Sequence, residues 1–299
     1  MSRVQARMLP DGRRLHLNDG PIDLVIGADG DPTQIARAYR AAEARFETVL
    51  DELCAELPLL RAPAGPEPQG EVARRMWRAT LPLAAETFIT PMAAVAGSVA
   101  EDILAAMLAE AHLARAFVNN GGDIALHLAP GARYDIGLAA GPDGPALFAT
   151  ARVEATDPVR GIATSGWRGR SFSLGIADAV TVLAARASMA DAAATLIANA
   201  VDLPGHPAIH RVPAEEIQPG NDLGARPVTR AVGPLAPNEI AAALEAGVAF
   251  AERLAATGRI AAAALHLAGE TRMVGQGLER QHAGREGEEV PRLGGGDPS

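Results

Sequence analysis

The chain has 299 residues, of which 48% are hydrophobic and only 3% aromatic, and its net charge is −9. This length suffices for one large or two small domains, with a core built from aliphatic side chains. The negative charge argues against nucleic acid as a partner, because phosphate contacts need a basic face. All 27 basic residues are arginines, which excludes a Schiff-base lysine, a catalytic lysine and a phosphate-loop lysine.

Cys54 is the one cysteine, so an intrachain disulfide is excluded, and its helical setting favours a packed small side chain. The first residues contain no apolar core of signal-peptide length. No segment reaches about 18 uninterrupted apolar residues, so a membrane span is not expected. These features predict a cytoplasmic protein without a membrane partner, and they leave self-association open.

The first half of the chain predicts strands and helices in irregular order. Asp31 and Pro32 open a helix to residue 57, because Asp caps a helix and Pro suits its first position. The strands are expected at residues 15–17, 22–26, 117–118, 124–128 and 134–138. Further helices are expected around Trp77 and from the small-residue run 90–102 to residue 113, and residues 61–70 are too rich in proline for regular structure.

The second half predicts strands at 147–153, 162–164 and 180–183, followed by an alanine-rich helix. Residues 204–224 are expected to be irregular, and a long helix is expected at 238–256. Two last strands are expected at 260–267 and 271–274. Helices interleaved with several hairpins favour an α+β fold in a single compact body over residues 1–275, with a disordered tail at 276–299.

The most informative stretch is the alanine-rich helix that carries Asp191, Thr195 and Asn199. These residues are four apart, so their oxygen-bearing side chains share one stripe of the helix. Two interpretations follow from the local pattern. Ser188 and Asp191 have the spacing of a capping box, so Asp191 bonds a helix start, or Asp191 and Thr195 hold a metal ion or ligand.

Other motifs give weaker indications. A dinucleotide fingerprint, a phosphate-binding P-loop and zinc-ligand spacing are all absent from the sequence. The turn Thr164-Ser165-Gly166 suits an anion, because it offers hydroxyls and backbone N–H groups. His206 and His210 are the histidines with the best prospect of a function, and an arginine cluster around Trp77 is either an anion site or a solvated face.

Several segments, taken in order, resemble the ApbE-like superfamily, the FAD:protein FMN transferases once linked to thiamine biosynthesis. They are residues 97–100 (GSVA), 120–124 (NGGDI), 163–166 (ATSG), 180–182 (VTV) and 190–195 (ADAAAT). Residues 20–24 (GPIDL), 88–97 (FITPMAAVAG), 119–123 (NNGGD) and 191–195 (DAAAT) are similar to a shorter branch of that superfamily. The resemblance implies an ApbE-like, T-fold-related architecture of antiparallel sheets with packed helices.

The resemblance also implies a chemistry. In the transferases, Mg²⁺ sits on the FAD pyrophosphate, and the matching metal positions here are Asp191, Thr195 and the main-chain carbonyl of Ala100. Asn120, Gly121, Gly122 and Asp123 would line the cleft wall, and Thr164, Ser165 and Gly166 would lie near the flavin phosphates. A hydroxyl of a partner protein attacks the FMN-side phosphorus in that family, and AMP leaves. No catalytic residue is assigned in this chain.

The chain departs from the superfamily at two places. The family motif G-G-x-A-K-G reads Gly97-Ser-Val-Ala100-Glu101-Asp102, and the H-x-x-D-P-x-T-G segment is replaced from Trp167 onward. Three hypotheses remain: a Mg²⁺-dependent protein, such as an enzyme of cofactor or sulfur metabolism, with a cleft for a small anionic flavin- or nucleotide-like ligand; a catalytically silent flavin- or nucleotide-binding protein; and an FMN transferase.

Overall fold

A computed structural model describes residues 3–139 and 147–280 of the chain. Where the sequence predicts a single body, these residues group into two compact units. Unit 1 comprises the described parts of Met1–Tyr134, Val153–Ala163 and Ala184–Asp191, and unit 2 those of Asp135–Arg152, Thr164–Leu183 and Ala192–Ser299. Since each unit draws on three separate stretches, no single linker divides them. The predicted domain over residues 1–275 stays a prediction.

The secondary structure is mixed, and the strand pairings whose register is defined in the described residues are antiparallel. The strands are β1 (Gln5–Met8), β2 (Leu15–Asp19), β3 (Ile22–Asp29), β4 (Arg115–Asn120), β5 (Asp123–Leu128), β6 (Arg133–Ala139), β7 (Leu147–Glu154), β8 (Gly161–Ser165), β9 (Ala179–Ala184), β10 (Ile209–Pro213), β11 (Pro227–Val232), β12 (Ala262–Leu267), β13 (Glu270–Gly275) and β14 (Leu278–Arg280). The helices are α1 (Pro32–Ala55), α2 (Leu57–Leu60), α3 (Glu71–Ala84), α4 (Val95–Glu110), α5 (Ala187–Ala200), α6 (Ala214–Ile217) and α7 (Pro237–Ala256). The predicted α+β class with antiparallel sheets is confirmed.

Unit 1 is a sheet with helices packed on it. Its strands lie in the order β1-β2-β3-β4-β5-β8, and α4 packs against α1, α3, β4 and β5. Helix α1 begins as predicted, because the Asp31 side chain accepts the N–H groups of Thr33 and Gln34 and Pro32 occupies the first position. Its apolar stripe, with Phe46 and Val49 fully buried, supplies part of the core.

Helix α4 is the apolar helix of unit 1. Within the described residues, the stretch Pro91–Glu110, a short 3-10 helix followed by α4, is long and apolar enough to cross a membrane by length and composition. Half of its most apolar window is buried in the fold. The helix also carries three acidic residues, Glu101, Asp102 and Glu110, that form ion pairs inside the unit.

Unit 2 contains three groups of strands: β9-β12-β13, β14-β7-β6 and β10-β11. Helix α7 packs on β12 and β13, and Gly247 allows this approach because a Cβ there would lie 2.7 Å from Leu265 Cδ2. Helix α5 runs across the division between the units, with Ala187–Asp191 in the first and the remainder in the second.

The sequence prediction misses four strands, which are β1, β10, β11 and β14. Residues 204–224 are not wholly irregular, because β10 and α6 lie there and β10 pairs with β11. Strand β1 is also missing from the prediction. The tail prediction at 276–299 is corrected at Leu278–Arg280, which forms β14 and pairs with β7; residues 281–299 lie outside the described residues.

Candidate functional site

Asp191 caps a helix, but not its own. The Asp191 Oδ2 atom accepts the N–H of Gly97 at 3.0 Å, and Gly97 is the third residue of α4. The first turn of a helix leaves backbone N–H groups without partners in the helix, and α4 has no side-chain cap of its own. The carboxylate therefore satisfies the start of α4 from a different helix, 94 residues away in sequence.

The start of α5 is capped in return by Glu101 of α4. Glu101 Oε1 accepts the backbone N–H of Ser188 at 2.8 Å and the Ser188 hydroxyl at 2.9 Å. Gly97 lets the two helix starts approach, because a Cβ there would lie 2.5 Å from the Ala187 carbonyl carbon. Each helix thus places an acidic side chain at the positive end of the other. We call this arrangement the reciprocal cap.

Asp191 is partly buried, and its carboxylate is affected by the charge of a second acid. Burial and the negative charge of Asp123 raise the pKa of Asp191 well above its ordinary value, whereas the N–H groups of Gly97 and Ala96 act in the opposite direction. Asp123 is the first residue of β5 and belongs to the same unit. The two carboxylates form a like-charge pair that a cation would stabilise.

Most of the Asn-Gly-Gly-Asp motif is explained by a hairpin. Gly121 and Gly122 form the two-residue connection between β4 and β5, and both have positive φ, 66° and 116°. Such turns favour glycine because both central residues are left-handed. The Asn120 amide donates to the Ala96 carbonyl at 3.2 Å, which ties the hairpin to the start of α4. Asp123 is the first residue of β5, and its charge acts on Asp191.

The predicted metal ligands fit the structure unequally. Asp191 is affected by the charge of Asp123, and Thr195 follows one turn later on α5 and is partly exposed. Ala100 is the sixth residue of α4, where a helical carbonyl accepts the N–H four residues on. Among residues 3–139 and 147–280, no group of three or more His, Cys, Asp or Glu side chains is placed to hold a metal.

Glu101 and Asp102, which replace Lys and Gly of the superfamily motif, belong to a network of ion pairs. Arg45 Nε lies 2.7 Å from Asp102 Oδ2, and Arg75 lies 3.6 Å from Asp102 and 3.5 Å from Glu101. The Asp102 side chain is only 6% exposed, and burial raises its pKa while Arg45 and Arg75 lower it. Both acids form ion pairs with arginines, and Glu101 also belongs to the reciprocal cap.

The predicted turn at Thr164-Ser165-Gly166 is corrected in part, because Thr164 and Ser165 are the last two residues of β8 and only Gly166 lies beyond the strand; all three belong to unit 2. The Thr164 hydroxyl lies 2.8 Å from the hydroxyl of Thr181 on β9. Gly166 has no room for a side chain, because a Cβ would lie 2.9 Å from the Ala177 carbonyl oxygen. The close packing fixes the path of the turn, with Thr164 exposed and Ser165 partly exposed.

Asp178 organises the segment that follows this turn, and the sequence analysis did not identify it. Its Oδ1 accepts Arg168 Nε at 2.7 Å and Trp167 Nε1 at 3.2 Å, and its Oδ2 accepts the Ala268 N–H at 2.7 Å. The guanidinium carbon of Arg168 lies 4.7 Å from the centroid of the Trp167 ring. In the sequence, this role of Asp178 is indicated only by its position directly before the predicted strand that became β9.

Asn199, His206 and the arginines near Trp77, which the sequence also highlighted, have structural partners. Asn199 Oδ1 accepts the N–H of Leu174 at 2.8 Å, and His206 Nε2 lies 3.0 Å from Glu239 Oε1. Around Trp77, Arg74 and Arg78 pair with Glu71 and Glu67 at 2.6 Å, which favours the solvated-face interpretation of this cluster.

An open cavity of about 330 Å³ adjoins Trp77, away from the predicted site residues. Its lining is mostly apolar and consists of Leu59, Ala62, Pro63, Ala64, Gly65, Trp77, Thr80, Leu81, Ala84, Ala85 and Pro91. Trp77 Nε1 donates to the Gly65 carbonyl at 3.2 Å, so the indole joins α3 to the proline-rich loop. The charged groups discussed above do not line this cavity.

The fold and the motifs define an ApbE-like protein. A family model described as "AbpE bacteria" matches residues 6–273, and the chain belongs to that family. This confirms the resemblance found in the sequence.

Curated relatives are UPF0280 proteins of archaea. The chain is 35% identical over 184 residues to a UPF0280 protein of Methanosarcina acetivorans, covering 60% of this chain and 69% of that protein. It is 45% identical over 132 residues to a UPF0280 protein of Methanopyrus kandleri, covering 43% of this chain and 48% of that protein. The chain thus spans about half the length of the latter relative.

A solved structure also matches, the apo form of the flavinyl transferase ApbE of Pseudomonas stutzeri. The match covers 91% of this chain and 93% of that one, with 14% identity and a TM-score of 0.45.

Proposed function

We propose that this protein binds a phosphorylated flavin- or nucleotide-like ligand together with Mg²⁺. The proposal is supported by two acidic side chains of unit 1 that act on each other, Asp191 and Asp123; burial and, after it, the charge of Asp123 raise the pKa of Asp191. Oxygen ligands of this kind suit Mg²⁺, which keeps several waters and commonly bridges to phosphate. Asp191 and Asp123, both in unit 1, are the side chains we propose to hold the ion, which would neutralise the charge of a bound pyrophosphate.

The proposed receiver of the anionic ligand is the Thr164-Ser165-Gly166 turn. Small hydroxyl side chains and backbone N–H groups at a tight turn suit phosphate oxygens. The glycine is required by the close approach of residue 177, and the hydroxyl of Thr164 is positioned by Thr181. We expect Ser165→Tyr to weaken ligand binding because the larger side chain fills the turn.

We propose binding, or chemistry other than FMN transfer, as the activity. The support is the set of contacts made by Glu101 and Asp102, which stand where the superfamily has Lys and Gly. Both are engaged by arginines, and Glu101 also caps α5. The lysine of the superfamily motif is therefore replaced by an acid that is held in place by other contacts. For this reason we expect FMN transfer to a peptide to be slow or absent.

Calorimetry tests the proposal. FAD, ADP and FMN are titrated with and without Mg²⁺ into the wild type, Asp191→Asn and the control Asp51→Asn, whose side chain is 71% exposed. We expect Mg²⁺-dependent binding that Asp191→Asn weakens and Asp51→Asn leaves unchanged. Absence of binding of all three ligands in the presence of Mg²⁺ would contradict the proposal. Rapid FMN transfer to a peptide acceptor would contradict the assignment of Glu101 and Asp102.

A further inference from the structure

The Trp167–Arg168 pair is a rigid aromatic and guanidinium stack directly after the proposed phosphate turn. The guanidinium carbon lies 4.7 Å from the indole centroid, a distance at which a cation is attracted to the ring face. Both side chains are fixed by one carboxylate, since Asp178 Oδ1 accepts from Trp167 Nε1 and Arg168 Nε. The pair is therefore preorganised and loses little rotamer freedom when something binds to it.

The position of the pair connects it to the turn. Trp167 follows Gly166, its N–H donates to the Ala177 carbonyl at 3.0 Å, and the Gly169 N–H returns to the Gly166 carbonyl at 3.1 Å. The backbone thus folds back on itself beside the turn. The Trp167–Arg168 pair is therefore the next part of the chain after the residues proposed to hold a phosphate.

The pair is open to solvent. The Arg168 side chain is 57% exposed and Trp167 is partly exposed. The chain has only two tryptophans, and the other, Trp77, lines the cavity in unit 1. A planar guanidinium backed by an indole offers a flat cationic surface, which suits stacking of an aromatic ring.

We infer that Trp167 and Arg168 form a stacking platform for the planar ring system of the phosphorylated ligand, whose phosphates bind at the Thr164–Gly166 turn. This inference rests on the proposed function and narrows the ligand to one with an aromatic ring, such as adenine or isoalloxazine. The guanidinium lies between the indole and the ligand ring. Asp178 is the positioning residue of the platform.

The test compares ligands with and without a ring. ADP, FMN and inorganic pyrophosphate are titrated with Mg²⁺ by calorimetry into the wild type, Arg168→Ala, Arg168→Lys and Arg170→Ala. Arg168→Ala is expected to weaken ADP and FMN binding about fivefold to tenfold, with pyrophosphate changed by less than about twofold. Arg168→Lys should show the same selective loss, because it keeps the charge but not the plane. Arg170 is an exposed arginine two residues on, so Arg170→Ala should affect the three ligands alike.

A second measurement does not depend on removing the platform. In Trp77→Phe, Trp167 is the sole tryptophan, and its fluorescence should be quenched by ADP but not by pyrophosphate. Equal loss of pyrophosphate and ADP affinity in Arg168→Ala, or an unquenched Trp167 in a protein that binds ADP, would overturn the platform alone. Failure of the wild type to bind any ligand, pyrophosphate included, would overturn the proposed function and the platform with it.

Discussion

At the scale of single residues, Asp191 forms a hydrogen bond that stabilises the fold, but its negative charge is unfavourable where it lies. Its carboxylate satisfies the Gly97 N–H at the start of α4, yet it lies near Asp123 in a partly buried place. The folded-state pKa is raised, so the folded protein holds this proton more tightly than the unfolded chain does. Ionisation of Asp191 therefore lowers the free energy of unfolding.

The pH dependence of stability follows from this sign. Without Mg²⁺, the Asp191 contribution is most favourable below its unfolded pKa of about 4 and is lost as the pH rises through the raised folded pKa. Asp191→Asn should lack this loss, and Asp123→Asn should reduce it by removing the neighbouring charge. Urea unfolding at several pH values between about 4 and 8 measures it. Parallel stability curves for wild type and Asp191→Asn would contradict the expectation.

Gly97 tests the close approach of the two helix starts. In Gly97→Ala the new Cβ would lie 2.5 Å from the Ala187 carbonyl carbon and 2.9 Å from Ser188 N, which are backbone atoms that cannot rotate away. We expect a loss of about 1–3 kcal/mol in the free energy of unfolding. Gly65→Ala is the control, because the nearest atom to its Cβ is 4.0 Å away. Equal melting temperatures for the two variants would show that the helices can separate without penalty.

At the scale of elements, the reciprocal cap explains the loss of the superfamily lysine. Glu101→Lys restores that residue type but places a cation beside Arg75 and at the positive end of α5. The Glu101 side chain is only 11% exposed, so we expect a loss of about 3 kcal/mol in the free energy of unfolding. Glu110→Lys, on the same helix but 62% exposed, should change stability by less than about 0.5 kcal/mol. Thermal unfolding of both variants measures the difference.

The elements that sequence periodicity predicted are those with a buried stripe or a clear cap. Helix α1 was predicted because Asp31 caps it and Phe46 and Val49 repeat at helical spacing. Strand β1 has all four side chains exposed, so it shows no apolar alternation. Strand β10 ends at Pro213 within a stretch rich in turn-forming residues, and such a pattern indicates a loop.

The candidate site was predictable in its residues but not in its partners. The spacing of Asp191, Thr195 and Asn199 placed them on one helix face, as the structure has them. The capping interpretation placed Asp191 at the start of its own helix, whereas the helix start that it bonds belongs to α4. A bond between residues 94 positions apart is decided by packing, which local pattern does not contain.

At the scale of the whole chain, β14 changes where the folded part ends. Leu278–Arg280 pairs with Ala149–Ala151 of β7, so a chain ending at Gly275 loses this pairing. We expect that truncation to reduce the free energy of unfolding by about 1–2 kcal/mol. A chain ending at Arg280 should melt like the full protein, because residues 281–299 have no apolar periodicity. A lower melting temperature after the second truncation would show that those residues contribute to stability.

The reciprocal cap has a kinetic consequence. The Gly97 and Ser188 amides are each bonded to a carboxylate of the other helix, so neither is protected until both helices are docked. Their hydrogen–deuterium exchange should therefore report one shared opening event, with matching free energies and matching responses to denaturant. During folding, both amides should gain protection in the same phase, after chain segments about 90 residues apart have met.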